Sequence, residues 1–141
     1  MQTFLPYKNF KKTAEVLDDK RLFKQLIEAR QIINIVTTGK TKSGRKYRGF
    51  LNHPARFMWE GHANSLKEYA NEMLREVKTR KKVETSMRLL RLKKIIHPHW
   101  LGNKKFHSSH RAALLKKNYS HYKKFNWREK PKIDYIWPTS K

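Results

Sequence analysis

Residues 17–36 read LDDKRLFKQLIEARQIINIV, and their spacing decides the fold class. Leu22, Leu26, Ala29, Ile33 and Val36 recur at steps of three and four, which stacks them on one side of an α-helix and would scatter them over both faces of a strand. Thr13 is placed to cap this helix and Gly39 to end it. Asp18 and Asp19 stand at its start, where negative charge complements the helix dipole.

The same rhythm runs downstream. A second helix is expected from Pro54, a residue suited to the first helical position, with Met58, His62, Leu66, Tyr69, Met73 and Val77 as its apolar stripe. After the basic break at Lys78 to Lys82, a weaker period through Val83, Met87, Leu90 and Lys94 continues to the stop at His97-Pro98. A third segment, capped by Ser108, runs through Ala112, Ala113, Leu114 and Leu115 to about Tyr119. Ile133 to Trp137, between Pro131 and Pro138, reads as a short extended tail. No period-two alternation, internal repeat or second domain boundary stands out. The expectation is one compact all-α domain over residues 1–141, with three to four helices, a basic loop and an aromatic C-terminal extension.

Charge narrows the partner. The chain has 34 Lys and Arg against 11 Asp and Glu, a formal net charge of +23, where a small domain typically carries a magnitude of about 2–8. Such an excess destabilises a compact chain by self-repulsion, so a polyanion is implied. Lys and Arg are interleaved with apolar residues from Lys20 to Lys124, which puts the charge on a folded face and not on a disordered tail. Residues 40–48 form a Gly-punctuated loop with five cations that either grip phosphates or sit in water. No run approaches the roughly 18 apolar residues of a membrane span, and Met1 to Phe10 lack the build of a signal peptide. The absence of cysteine removes disulfides and thiolate metal sites. These features predict a cytoplasmic protein acting on nucleic acid, with no membrane, metal or small-molecule cofactor.

On the first helix, Arg21, Lys24, Gln25 and Glu28 share one flank. Two accounts of Glu28 stand side by side: a surface ion pair with Lys24, or a carboxylate held among cations that transfers a proton or stabilises positive charge developing on a sugar. His62 reads as a buried core histidine or as one facing a cleft. Ser108, Ser109, His110 and Arg111 form a candidate phosphate site at a helix N-terminus. Of the four tryptophans, two suit the core, while Trp127, among Lys123, Lys124 and Arg128, suits stacking on a base or wedging a duplex.

Leu17-x-Asp19-x-Arg21-Leu22-x-x-Gln25-x-x-Glu28 resembles the catalytic helix of the pyrimidine-dimer DNA glycosylases of the endonuclease V type. Pro54-x-x-Phe57-Met58, Gly61-His62, Leu66 and Tyr69 resemble that family's central helix. Pro98-x-Trp100-x-Gly102, with His107, Ser109-His110, Leu114 and Tyr122, resembles its third segment, and the opening residues 1–6 resemble its phage and bacterial branch. The resemblance implies an all-α, metal-free DNA repair glycosylase with AP lyase activity, in which an amine attacks C1′, forms a Schiff base and nicks the strand by β-elimination.

Carried over residue by residue, the resemblance makes Glu28 the essential acid and the Met1 α-amine the nucleophile, because Gln2 is large and the initiator is expected to stay. An α-amine, with an ordinary pKa of about 7.7–8.0 against about 10.4 for lysine, is far more often unprotonated at neutral pH; Lys20 or Lys24 is the alternative nucleophile if desolvated. Arg21 stands where the phage archetype has histidine, and Arg30 approximates the arginine that follows its glutamate. Arg21, Lys24, Gln25, Arg30, Arg45, Lys46, Arg48, His62, His110, Arg111 and Trp127 are the expected contacts to double-stranded DNA, bound by a monomer. A non-enzymatic, architectural DNA-binding protein on the same scaffold is the competing expectation.

Overall fold

In the computed structural model, which describes residues 2–38 and 53–138, the elements are helical throughout, with no strand among the described residues. Helix α1 spans Phe10–Val16 and α2 spans Asp19–Thr38. The Asn9 side chain accepts from Lys12 N at 2.8 Å and so caps α1. Thr13 is therefore not a cap: it is buried inside α1 and donates its hydroxyl to Tyr7 O at 3.1 Å. Extended backbone at Leu17 separates the two helices. The stripe expected on α2 is buried through Leu22, Leu26, Ala29 and Ile33, with Val36 half-buried at its end.

The helix expected from Pro54 is two helices, α3 (Pro54–Trp59) and α4 (Ala63–Arg80). Gly61, at φ +81°, makes the elbow between them, a conformation that L side chains rarely adopt. The elbow lets Trp59 and Tyr69 enter one core, both fully buried, where an unbroken helix would carry them past each other. Leu66, Ala70, Met73, Leu74 and Val77 of α4 pack with the α2 stripe, and Phe10 of α1 meets Tyr69 edge-on at 5.6 Å.

The weak period through Val83 and Lys94 does not form a helix. Lys81 closes α4 in the left-handed region at φ 56°, and residues 83–99 run as an irregular strap. Val83, Leu89, Leu92 and Ile96 are exposed, so this segment has no single apolar face to bury. Side chains from the helices hold its backbone. Asn71 donates to Leu90 O at 2.9 Å and accepts from Leu90 N at 2.7 Å; Asn64 accepts from Lys93 N at 3.2 Å; Arg30 donates to Arg88 O at 2.6 Å. Because Asn71 is 2% exposed and holds both backbone groups of Leu90, Asn71→Ala is expected to cost about 1–3 kcal/mol and to open the strap locally. Urea melts, with amide exchange read at Leu90, test this; an unchanged exchange rate there would contradict it.

Helix α5 spans Lys104–Lys117, followed by the short α6 (Tyr119–Tyr122) and a 3-10 turn at Lys123–Phe125. Its cap is Asn103, which accepts from Phe106 N at 3.0 Å, so the helix begins a turn earlier than a Ser108 cap requires. The expected phosphate site at Ser108 to Arg111 loses its basis, because the backbone N–H groups there are inside the helix. The tail after Asn126 is irregular, with neither helix nor strand over residues 127–138, and lies along α5 through Lys132 N to Ala112 O at 3.1 Å and Ile136 N to Ser109 Oγ at 3.2 Å.

Candidate active site

The first residues of the chain have no helix or sheet to satisfy their backbone, yet residues 2–6 are all buried. Buried N–H and C=O groups need partners, and here side chains from α2, α4 and α5 supply them. Gln2 N donates to Glu28 Oε2 at 3.2 Å, and Phe4 N to Gln25 Oε1 at 2.8 Å. Leu5 N donates to His110 Nδ1 at 2.9 Å. Phe4 O accepts from the Tyr69 hydroxyl at 2.8 Å, Leu5 O from His107 Nδ1 at 2.8 Å, and Pro6 O from Arg111 Nη1 at 2.7 Å. Trp59 Nε1 donates to Thr3 Oγ1 at 3.0 Å. The amino-terminal segment is thus fixed in one position, threaded between α2, α3, α4 and α5.

That segment ends against a pocket of about 320 Å³ lined by Gln2, Phe4, Lys20, Arg21, Lys24, Gln25, Glu28, Lys117 and Tyr135. The flank read on α2 is real: Arg21, Lys24, Gln25 and Glu28 meet there. Glu28 is the pocket's carboxylate among four cations, with its side chain 12% exposed. Its Oε2 takes the Gln2 amide and, at 3.3 Å, the Gln25 side-chain amide, while Lys24 Nζ stands 3.7 Å from Oε1. The Lys24 pair exists, but Lys24 is 68% exposed and the closer donors come from within the fold.

The other expected contacts divide. Arg21 lines the pocket and is steadied by Asp18 at 3.2 Å, and Asp18 in turn receives the Tyr122 hydroxyl. Asp18 is therefore more than a dipole partner. Asp19, the first residue of α2, is clamped by Lys82 and Arg80, whose hydrogen bonds hold its carboxyl below the ordinary value. Gln25 is buried and all of its polar atoms face protein groups, so it is a support for the pocket and not a DNA contact. His110 is fully buried beneath Phe4; burial drives its pKa down to about 3, so it is a neutral acceptor for the Leu5 amide and cannot reach DNA.

Arg111 spends its guanidinium on Pro6 O and on both oxygens of Glu129. Arg30 braces the strap. His62 is half-buried at the α3–α4 elbow, with Nδ1 2.9 Å from Ile96 O, and is not a core residue. Trp127 is not free to stack on a base: its ring lies on Tyr122 at 5.4 Å and 15°, and its N–H donates to the Tyr7 hydroxyl at 2.8 Å. Trp59 and Trp100 are the two core tryptophans. Met1, Arg45, Lys46 and Arg48, with the rest of the 40–48 loop, lie outside the described residues.

Tyr69, Lys117 and Tyr135 complete the site without having been singled out by charge or spacing. Tyr69 sat in an apolar stripe whose periodicity says only that it faces inward. Its hydroxyl is held well above its ordinary pKa by burial first and by the nearby Glu28 charge second, so it remains a donor. Lys117 and Tyr135 reach the pocket from α5 and the tail, a closeness that only the folded chain creates.

The chain is a basic helical domain that buries its N-terminal segment against a carboxylate held by two amide N–H groups. The family model described as Pyrimidine dimer DNA glycosylase matches residues 1–90, and the chain belongs to this family of DNA repair glycosylases. The match takes in α1 to α4, the pocket's α2 flank and the start of the strap. No curated protein and no solved structure matches the chain. No helix among the described residues is long and apolar enough to cross a membrane.

Proposed function

We propose that this protein is a DNA glycosylase with AP lyase activity that excises a damaged pyrimidine, a pyrimidine dimer by family, from double-stranded DNA and nicks the strand through a Schiff base. The observation that carries the reading is the 3.2 Å bond from Gln2 N to Glu28. Met1 is one residue upstream of that bond in the sequence, and a chain advances at most about 3.3–3.6 Å per residue, which supports an α-amine over a lysine as the nucleophile. Lys20 and Lys24 are exposed and hydrated, and they lack the desolvation that activates a lysine nucleophile.

In the proposed sequence the neutral amine attacks C1′ as the C1′–N bond breaks, and the base departs with the bonding electrons and takes up a proton. The amine nitrogen gives up one proton, and the C1′–O4′ bond breaks as the protonated C1′=N imine forms, with O4′ taking up that proton. Removal of a C2′ proton then expels the 3′-phosphate. Glu28 is placed to stabilise positive charge at C1′ and to carry protons between these steps. Arg21, Lys20, Lys24 and Lys117 line the approach, where they would hold phosphate oxygens.

Borohydride reduction during reaction with abasic and dimer-containing DNA tests this: a covalent adduct is expected, and its peptide should map to Met1. An adduct on Lys20 or Lys24 would reassign the nucleophile. No adduct on any of these DNAs would leave the architectural DNA-binding reading, which the charge alone also supports.

A further inference from the structure

Gln25, which lines the pocket but is only 1% exposed, and the fully buried Tyr69 behind it stand next to the pocket's carboxylate. Gln25 Oε1 accepts from Phe4 N and from the Tyr69 hydroxyl, each at 2.8 Å. A backbone N–H can only donate, so Oε1 must face Phe4 and the amide cannot flip. Nε2 is thereby turned toward Glu28 Oε2 at 3.3 Å. The same Tyr69 hydroxyl stands 2.8 Å from Phe4 O and shares its one proton between the two oxygens. One buried tyrosine therefore touches both the amide that holds the carboxylate and the segment that leads to the amine.

We infer that Gln25 and Tyr69 are positioning residues for the proposed reaction, acting through Glu28 and the N-terminal segment to keep carboxylate and amine in one register. Both lie inside the core, Gln25 1% and Tyr69 0% exposed, so neither can bind DNA itself. A purely structural role would predict a loss of stability with the rate of chemistry kept among folded molecules. A positioning role predicts slower chemistry at unchanged affinity, since a small displacement of a reacting group costs up to about 10²-fold.

The inference rests on the glycosylase/lyase reading and is tested beside it. Single-turnover trapping on abasic duplex DNA, with affinity measured separately by fluorescence anisotropy, is compared for the wild type, Tyr69→Phe, Gln25→Met and the double variant. The trapping rate at saturating protein should fall about 10–100-fold in each single variant with Kd unchanged. The double variant should lose little more, because both changes break one network. Wild-type protein that traps DNA while both single variants trap as fast would overturn the positioning role alone, as would additive losses or a loss confined to Kd. Wild-type protein that forms no adduct overturns the enzymatic reading and the relay with it. Should Tyr69→Phe fail to fold, the isosteric Gln25→Met decides the outcome.

Discussion

Glu28→Gln is expected to slow strand nicking by about 10²–10⁴-fold, the usual contribution of a positioned acid–base group, with DNA affinity kept. The substitution preserves size and the acceptor oxygen. Gln2 N–H and the Gln25 amide approach one oxygen, Oε2, and a glutamine carbonyl placed there can still accept from both. What disappears is the negative charge beside C1′ and the ability to exchange a proton. Lys24 loses its partner at 3.7 Å, but it is exposed, and such pairs contribute little to stability. The pocket also becomes more cationic, so affinity for DNA should rise slightly if it moves. Nicking assays on dimer-containing duplexes, paired with anisotropy, check both halves. A variant that nicks at the wild-type rate would remove Glu28 from the chemistry and leave only its role in seating Gln2.

The all-α class and the principal buried stripes were legible in residues 17–36 and 54–77 because burial follows from periodicity, whatever the partner helix. Boundaries were less legible where a competing local group took over. Asn103 caps the helix expected to start at Ser108, Thr13 falls inside a separate helix α1 that Asn9 caps, and Gly61 broke a stripe that reads as continuous. The strap was misread because Asn71 and Asn64, two polar residues on an otherwise ordinary helix, satisfy an extended backbone from outside, and spacing within residues 83–94 cannot encode that.

The site was partly legible for the same reason. Arg21, Lys24, Gln25 and Glu28 are neighbours within one helix, so their juxtaposition is written in the chain. His110 and Arg111 were misassigned because their partners, Leu5, Pro6 and Glu129, are remote or carry no local pattern. A histidine among polar residues looks exposed until a buried backbone amide is found to need it.

That buried histidine sets the second large effect, which is loss of stability in mild acid. His110 is fully buried with its pKa lowered to about 3 from 6.5, chiefly by desolvation. The native state therefore binds fewer protons than the unfolded chain between those values, and stability falls as pH drops from 6.5 toward 3. Each pH unit in that window costs about 1.4 kcal/mol, so the full loss approaches about 5 kcal/mol, a large share of a small domain's total. His107, also lowered by burial, adds in the same direction.

Asp19, held below 3.8 by Lys82 and Arg80, loses its contribution only at lower pH and does not confuse the upper part of the window. Urea unfolding between pH 7 and 5 should show this slope, and His110→Asn should flatten it, since the asparagine oxygen can accept from Leu5 N without titrating. Equal slopes in the two proteins would refute the assignment.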